Sequence, residues 1–284
     1  MRPSTTSVGT DPSRGTRSAT RRRLGAVLGA ELLLAVFLVN GPQLAPPGPA
    51  VASPVPDSRP AQLPGTRSVS TPDGRTAQLI DLGAIGGRTL IDRIAAEMPG
   101  ATEAVTAFWG SDWRRDISIV VAGSPEQFGV LAGGGPDIAA TTTADRIMFS
   151  PGATAMNDAN LRTVLRHELF HYAARPDTAA DAPVWLTEGV ADFVGRPPAP
   201  TAPAAPTAPA APAALPTDAE LTEPGPGRSA AYDRAWEFAT YIADTYGIDK
   251  LRALYVAACG HGHRDVATAI REALGVDVSE VLHR

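Results

Sequence analysis

A chain of 284 residues has room for one or two domains and a sizeable core, yet its 27 prolines and 27 glycines mark stretches that cannot contribute to one. The net charge of -5 comes from an acidic body behind a basic first segment, which excludes the basic face a nucleic-acid partner would need. A single cysteine, Cys259, excludes a disulfide scaffold and a cysteine-rich closed metal site.

Residues 1–23 are rich in Ser, Thr and Arg, with Arg2, Arg14, Arg17 and Arg21 to Arg23, and show no apolar period. They read as a disordered basic tail that stays cytoplasmic. The apolar run LGAVLGAELLLAVFLV, residues 24–39, ends at Asn40-Gly41-Pro42. A basic flank before an apolar run marks a signal anchor or a secretory signal peptide. The run is short for a full span and Glu31 interrupts it, and PAVA at 49–52 is the candidate cleavage site. An anchor would leave a single-pass membrane protein with its body outside, through residues 24–40; cleavage would leave it secreted. Residues 41–67 form a Pro-rich linker. In polyproline geometry, about 3.1 Å per residue, it could hold a domain tens of ångströms off a bilayer.

The folded body is expected over residues 68–284. Its pattern predicts a strand at 76–82, helices at 89–98 and 101–109, and a buried β-branched strand, ISIVVA, at 117–122. Ser124-Pro125 opens a further helix with proline at its first position. Two strands, at 138–143 and 146–150, precede the stretch around which the rest is organised.

That stretch is TVLRHELFHYAA, residues 163–174. It holds no Pro or Gly before Pro176, and Asn160 or Asp158 is available as a cap, so a helix is expected. On a helix, His167 and His171 at i and i+4 project from one face and make half of a tetrahedral zinc site. Glu168, beside the first histidine, can reach a water held by the metal without being a ligand. After a short loop with Pro176 and Pro183 comes VWLTEGVADFV, residues 184–194. It reads as a second helix with Trp185, Val190 and Phe193 on its apolar face, and Gly189 permits close approach by a neighbour.

HELFH, a short gap and WLTEGVAD together resemble the gluzincin zinc metallopeptidases of the peptidase MA-like branch. The resemblance covers about residues 110–260 and is specific only at those two motifs. It implies an α+β fold: a zincin-like catalytic domain with a small mixed sheet, an active-site helix and a mostly helical C-terminal part. It implies one Zn2+ held by His167, His171 and Glu188, with Glu168 as general base and a peptide or protein as substrate. Asp192 matches the acid that orients a ligand histidine, a role with its own reason: a carboxylate on the distal ring nitrogen fixes the tautomer. The strand at 147–150 would pair with extended substrate, an ordinary sheet edge being the alternative.

Residues 196–216, RPPAPTAPAAPTAPAAPAALP, carry no helical or strand period and read as an insertion within the domain, or as a boundary between two. The helix expected at 231–247 buries Ala235, Phe238, Ala239 and Ile242. Tyr232 on it is the candidate oxyanion donor, with Tyr241 and Tyr246 as rivals. Short helices follow at 250–258, 264–274 and 276–282, and His261 and His263 are expected in a polar turn. Two other functions compete with catalysis: a metal-holding scaffold without turnover, and an envelope-anchored binding protein without metal. Oligomeric state is not legible.

Overall fold

The computed structural model describes residues 65–133, 135, 138–196, 211–222 and 226–282. The basic tail, the apolar run and nearly all of the linker lie outside the described residues, as do residues 197–210 of the insertion. Among the described residues, no helix is long and apolar enough to cross a membrane.

The architecture is α+β, a five-stranded mixed sheet followed by helices. The strands are β1 (Gly65–Ser70), β2 (Thr76–Asp81), β3 (Asp116–Val121), β4 (Ala140–Thr142) and β5 (Ile147–Phe149), in spatial order β1-β2-β3-β5-β4. β1 and β2 form an antiparallel hairpin, β2, β3 and β5 run parallel, and β4 returns antiparallel to β5. The sheet thus starts at Gly65, inside the stretch read as linker. GTRSVS has no buried face to give it a strand signature and becomes β1 by pairing with β2. A second difference bears on function. The strand at 147–150, expected beside the cleft, is interior, with β3 on one side and β4 on the other. Its three strand residues are all buried. The edge is β4.

Between β2 and β3 runs α1 (Gly87–Trp109), a single helix where two had been expected. Pro99 removes one ladder hydrogen bond, which ordinarily breaks a helix. Here both halves bury one continuous face, from Leu90, Ile91 and Ile94 through Met98 to Val105 and Phe108, and Thr102 Oγ1 donates to the Pro99 carbonyl at 3.0 Å. Burial of several large side chains, at about 1.5–3 kcal/mol each, outweighs the local cost. α2 (Pro125–Ala132) starts as expected, with Ser124 Oγ accepting from Gln127 N at 3.2 Å.

The helix bearing the two histidines is α3 (Asp158–Ala174). Its cap is Asn157 rather than Asp158 or Asn160, the Asn157 carboxamide oxygen accepting from Asn160 N at 2.8 Å. The next helix, α4 (Val184–Gly195), has only Pro183 at its N-cap. The missing acceptor comes from far along the chain: Asp218, on α5 (Asp218–Thr222), accepts from Trp185 N at 2.9 Å through Oδ1. α6 (Pro226–Tyr246) then packs along α4. The chain closes with α7 (Ile248–Cys259), α8 (Val266–Leu274) and α9 (Val278–Leu282). Phe108, Trp109, Phe170 and Tyr255 meet edge to face with centroids 5.4–5.8 Å apart, locking α1, α3 and α7 together.

One buried cation holds the sheet's lower corner. Arg75 is out of solvent, ion-paired with Asp73, and stacked 3.6 Å from the Trp113 ring centroid. Its Nη2 donates to the Ser111 carbonyl at 2.9 Å and its Nε to the Arg114 carbonyl at 3.2 Å. Arg75→Met fills the space but leaves those carbonyls without a donor, so urea denaturation is expected to show a loss of about 3 kcal/mol. A loss below about 1 kcal/mol would mean the corner is held by packing alone.

Candidate metal centre

α3 and α4 cross closely enough for side chains from both to share one point. Small residues permit this. A Cβ on Gly195 would stand 2.9 Å from the Thr163 carbonyl oxygen and 3.2 Å from His167 Cβ. A Cβ on Gly189 would stand 2.5 Å from the Ala235 carbonyl oxygen, so the close approach that Gly189 permits is to α6. Gly189→Ala must push α4 off α6 and move its neighbour Glu188. A loss of about 2 kcal/mol in urea denaturation is expected, with weaker metal binding. Wild-type values of both would show that the helices yield freely.

The shared point is defined by His167, His171 and Glu188, all buried, whose ligand atoms lie within 4.8 Å of one another. His167 Nε2 is 3.2 Å from His171 Nε2 and 3.3 Å from Glu188 Oε2, and His171 Nε2 is 3.5 Å from Glu188 Oε1. Neither Glu188 oxygen has a hydrogen-bond partner. Two imidazole nitrogens and two carboxylate oxygens facing one another out of water need a positive charge among them, a proton or a metal ion. The spacing says what fits. Ligand atoms about 2.0–2.1 Å from a tetrahedral zinc stand about 3.3–3.4 Å apart, close to the 3.2 Å between the imidazole nitrogens and to the nearest approaches of Glu188, one of its oxygens to each nitrogen. Among the described residues this is the one group of three or more His, Cys, Asp or Glu placed to hold a cation. Cys259 is buried elsewhere, its thiol pushed well up by burial.

Asp192, one turn beyond Glu188, joins the site through His167. Its Oδ1 accepts from His167 Nδ1 at 2.8 Å. With the proton fixed on Nδ1, the Nε2 lone pair is aimed at the shared point. Without a metal, burial works against charge on His167, but the Asp192 and Glu188 carboxylates outweigh it and hold its pKa well above the ordinary imidazole value, so a cation entering the site displaces the proton from Nε2. Burial likewise tends to raise the Glu188 carboxyl, and the facing imidazoles instead bring it down to about 2.

Glu168 is fully buried beside His167. Burial is the largest influence on it and raises its pKa, against the pull of both imidazoles and the Thr142 hydroxyl. Thr142 Oγ1 lies 2.7 Å from Glu168 Oε2 and 2.9 Å from the Glu168 carbonyl oxygen, close enough to donate to either, while Oε1 has no hydrogen-bond partner. Thr142 was not legible in the sequence as a functional residue. It stands on β4, and nothing local marks which residue of a short strand will meet a helix more than twenty positions on.

Tyr232 is buried near the start of α6, and the triad forms without it. Tyr241 is buried on the same helix. His261 and His263 occupy a polar turn as expected. His261 Nε2 is 3.0 Å from the Pro176 carbonyl oxygen and His263 Nε2 is 3.4 Å from Asp181 Oδ1, which ties that turn to the loop between α3 and α4.

No protein-family model matches the chain, and no curated protein does. Among solved structures it is similar to the crystal structure of a mutant M1 zinc metallopeptidase from Deinococcus radiodurans. The TM-score is 0.49 at 15% sequence identity, over 78% of this chain and 51% of that one. The chain therefore spans about half the length of that structure.

Proposed function

We propose that this chain is a zinc-dependent peptidase of the gluzincin kind, with a zincin-like catalytic domain. His167, His171 and Glu188 hold the ion and Glu168 acts as general base. The observation that carries the reading is the convergence of two imidazole nitrogens and one buried carboxylate, each nitrogen 3.3–3.5 Å from its nearer Glu188 oxygen, with a second carboxyl, Glu168, beside them whose Oε1 has no hydrogen-bond partner.

Zinc, when bound, supplies Lewis acidity that brings the pKa of water toward neutrality and polarises a carbonyl group. The chain's own residues do the rest. Asp192 keeps His167 in the tautomer that presents Nε2. Thr142 restrains Oε2 of Glu168, leaving Oε1 to take the proton of the attacking water and pass it to the leaving amine. Tyr232 on α6 is the candidate donor to the oxyanion, with Tyr241 and Tyr246 as its rivals. The Arg-flanked apolar run at 24–39 supports a domain outside the cytoplasmic membrane, tethered or secreted.

Purified protein is expected to carry about one zinc per chain and to cleave an unstructured protein. Chelation should abolish the cleavage and added zinc restore it. Hydrolysis that survives chelation, or no zinc, ends the reading. Zinc without hydrolysis moves the protein to the scaffold alternative.

A further inference from the structure

The carboxylate that orients His167 is itself gripped by a cation. Arg196 follows Asp192 by one helical turn at the end of α4, and its Nη2 donates to Asp192 Oδ2 at 2.7 Å. Its Nη1 donates to Asp233 Oδ1 on α6 at 2.9 Å, and the guanidinium lies 5.0 Å from the Trp236 ring centroid. The two oxygens of Asp192 are thus divided: Oδ1 receives His167 Nδ1–H at 2.8 Å and Oδ2 receives Arg196.

A carboxylate held by one oxygen can rotate about its own axis and let the imidazole tilt. Held by both, it cannot, and the ring it supports is fixed. A buried carboxylate also needs a countercharge, and a planar guanidinium supplies one in fixed geometry where a lysine ammonium would not. Asp233 and Trp236 hold that guanidinium in turn, so a continuous line runs from α6 through Arg196 and Asp192 to His167.

We propose that Arg196 is a positioning residue for the metal: it fixes Asp192, which fixes His167, so affinity for zinc depends on a side chain that touches no ligand. This rests on the zinc reading above. A rival structural role would have Arg196 merely stapling α4 to α6 through Asp233, and the two roles separate cleanly. Full-length protein is titrated with zinc against a chelator of known affinity. Arg196→Met is expected to weaken zinc binding about tenfold, the lower end of what loss of an outer partner does to a metal site. It should also shift the visible absorption of the cobalt-substituted protein. Asp233→Asn, which loosens the staple but leaves Asp192 gripped, should keep zinc affinity within about twofold. In an Asp192→Asn background, already weakened, adding Arg196→Met should change affinity less than about twofold, because the residue through which Arg196 acts is gone.

Unchanged zinc affinity in Arg196→Met overturns the proposal, as does an equal loss with and without Asp192. If the methionine variant does not fold, Arg196→Lys carries the same test. It keeps a charge near Oδ2 but not the rigid planar fork that fixes the carboxylate, so weaker binding by a few-fold is expected and wild-type affinity overturns the proposal. Wild-type protein that binds no zinc overturns this inference and the reading beneath it together. Wild-type protein that binds zinc beside an unaffected Arg196→Met overturns the inference alone.

Discussion

Glu168→Gln is expected to lower kcat by on the order of 1000-fold while about one zinc per chain stays bound. Glutamine has the shape of the carboxylate and its carboxamide oxygen can still accept from Thr142 Oγ1, which stands 2.7 Å from Oε2 in the wild type. The fold and the three ligands are therefore undisturbed. What the amide cannot do is take a proton. General-base catalysis is worth about 100- to 10,000-fold, and Glu168 suits it because burial raises its carboxyl while Oε1 has no hydrogen-bond partner. Steady-state hydrolysis of an unstructured protein, with metal content measured on the same samples, checks both halves. Equal turnover by the two proteins would remove Glu168 from the chemistry. Lost zinc would show that it serves the metal instead.

The second large effect is expected at Glu188. Glu188→Gln should weaken zinc binding by on the order of 100-fold or more, beyond what removing an outer partner does. Both carboxylate oxygens are buried without hydrogen-bond partners and face two imidazole nitrogens, so the charge has no use there except toward a cation. The stability consequence follows from linkage. Zinc at about 1,000 times its Kd stabilises the wild type by about 4 kcal/mol, and the weakened variant loses most of that gain. Without zinc the variant is still expected to melt below the wild type near neutral pH, because a carboxyl brought down to about 2 by the facing imidazoles stabilises the fold above its ordinary pKa and glutamine forfeits that. Thermal melts of both proteins with zinc and with chelator decide the matter. A variant whose Tm rises with zinc as far as the wild type's would show that residue 188 is not a ligand.

Much of this site is local and was therefore legible. His167 and His171 share a face because four residues are about one helical turn, and Glu188 and Asp192 do so for the same reason. The i,i+4 relation also extends from Asp192 to Arg196, yet the arginine drew no notice, since a charged pair at a helix end is usually a solvated one. Its importance came from α6, which brings Asp233 and Trp236 to its other side. Gly189 was legible as a place of close approach, though not the partner it approaches.

By itself the sequence determined that a helix would carry two imidazoles one turn apart with an acid next to the first, that a second helix would carry two more acids one turn apart, and that β-branched runs before them would form strands. These are matters of periodicity, caps and breakers, interactions between residues a few positions apart. Only the tertiary structure decided that β5 is interior and β4 is the edge, that α1 runs on through Pro99, that Asp218 caps α4, and that Thr142 and Arg196 reach the site. Each of those depends on which distant segment lies alongside, and such pairings follow from burial and register over the whole chain, where no short window of residues carries the information.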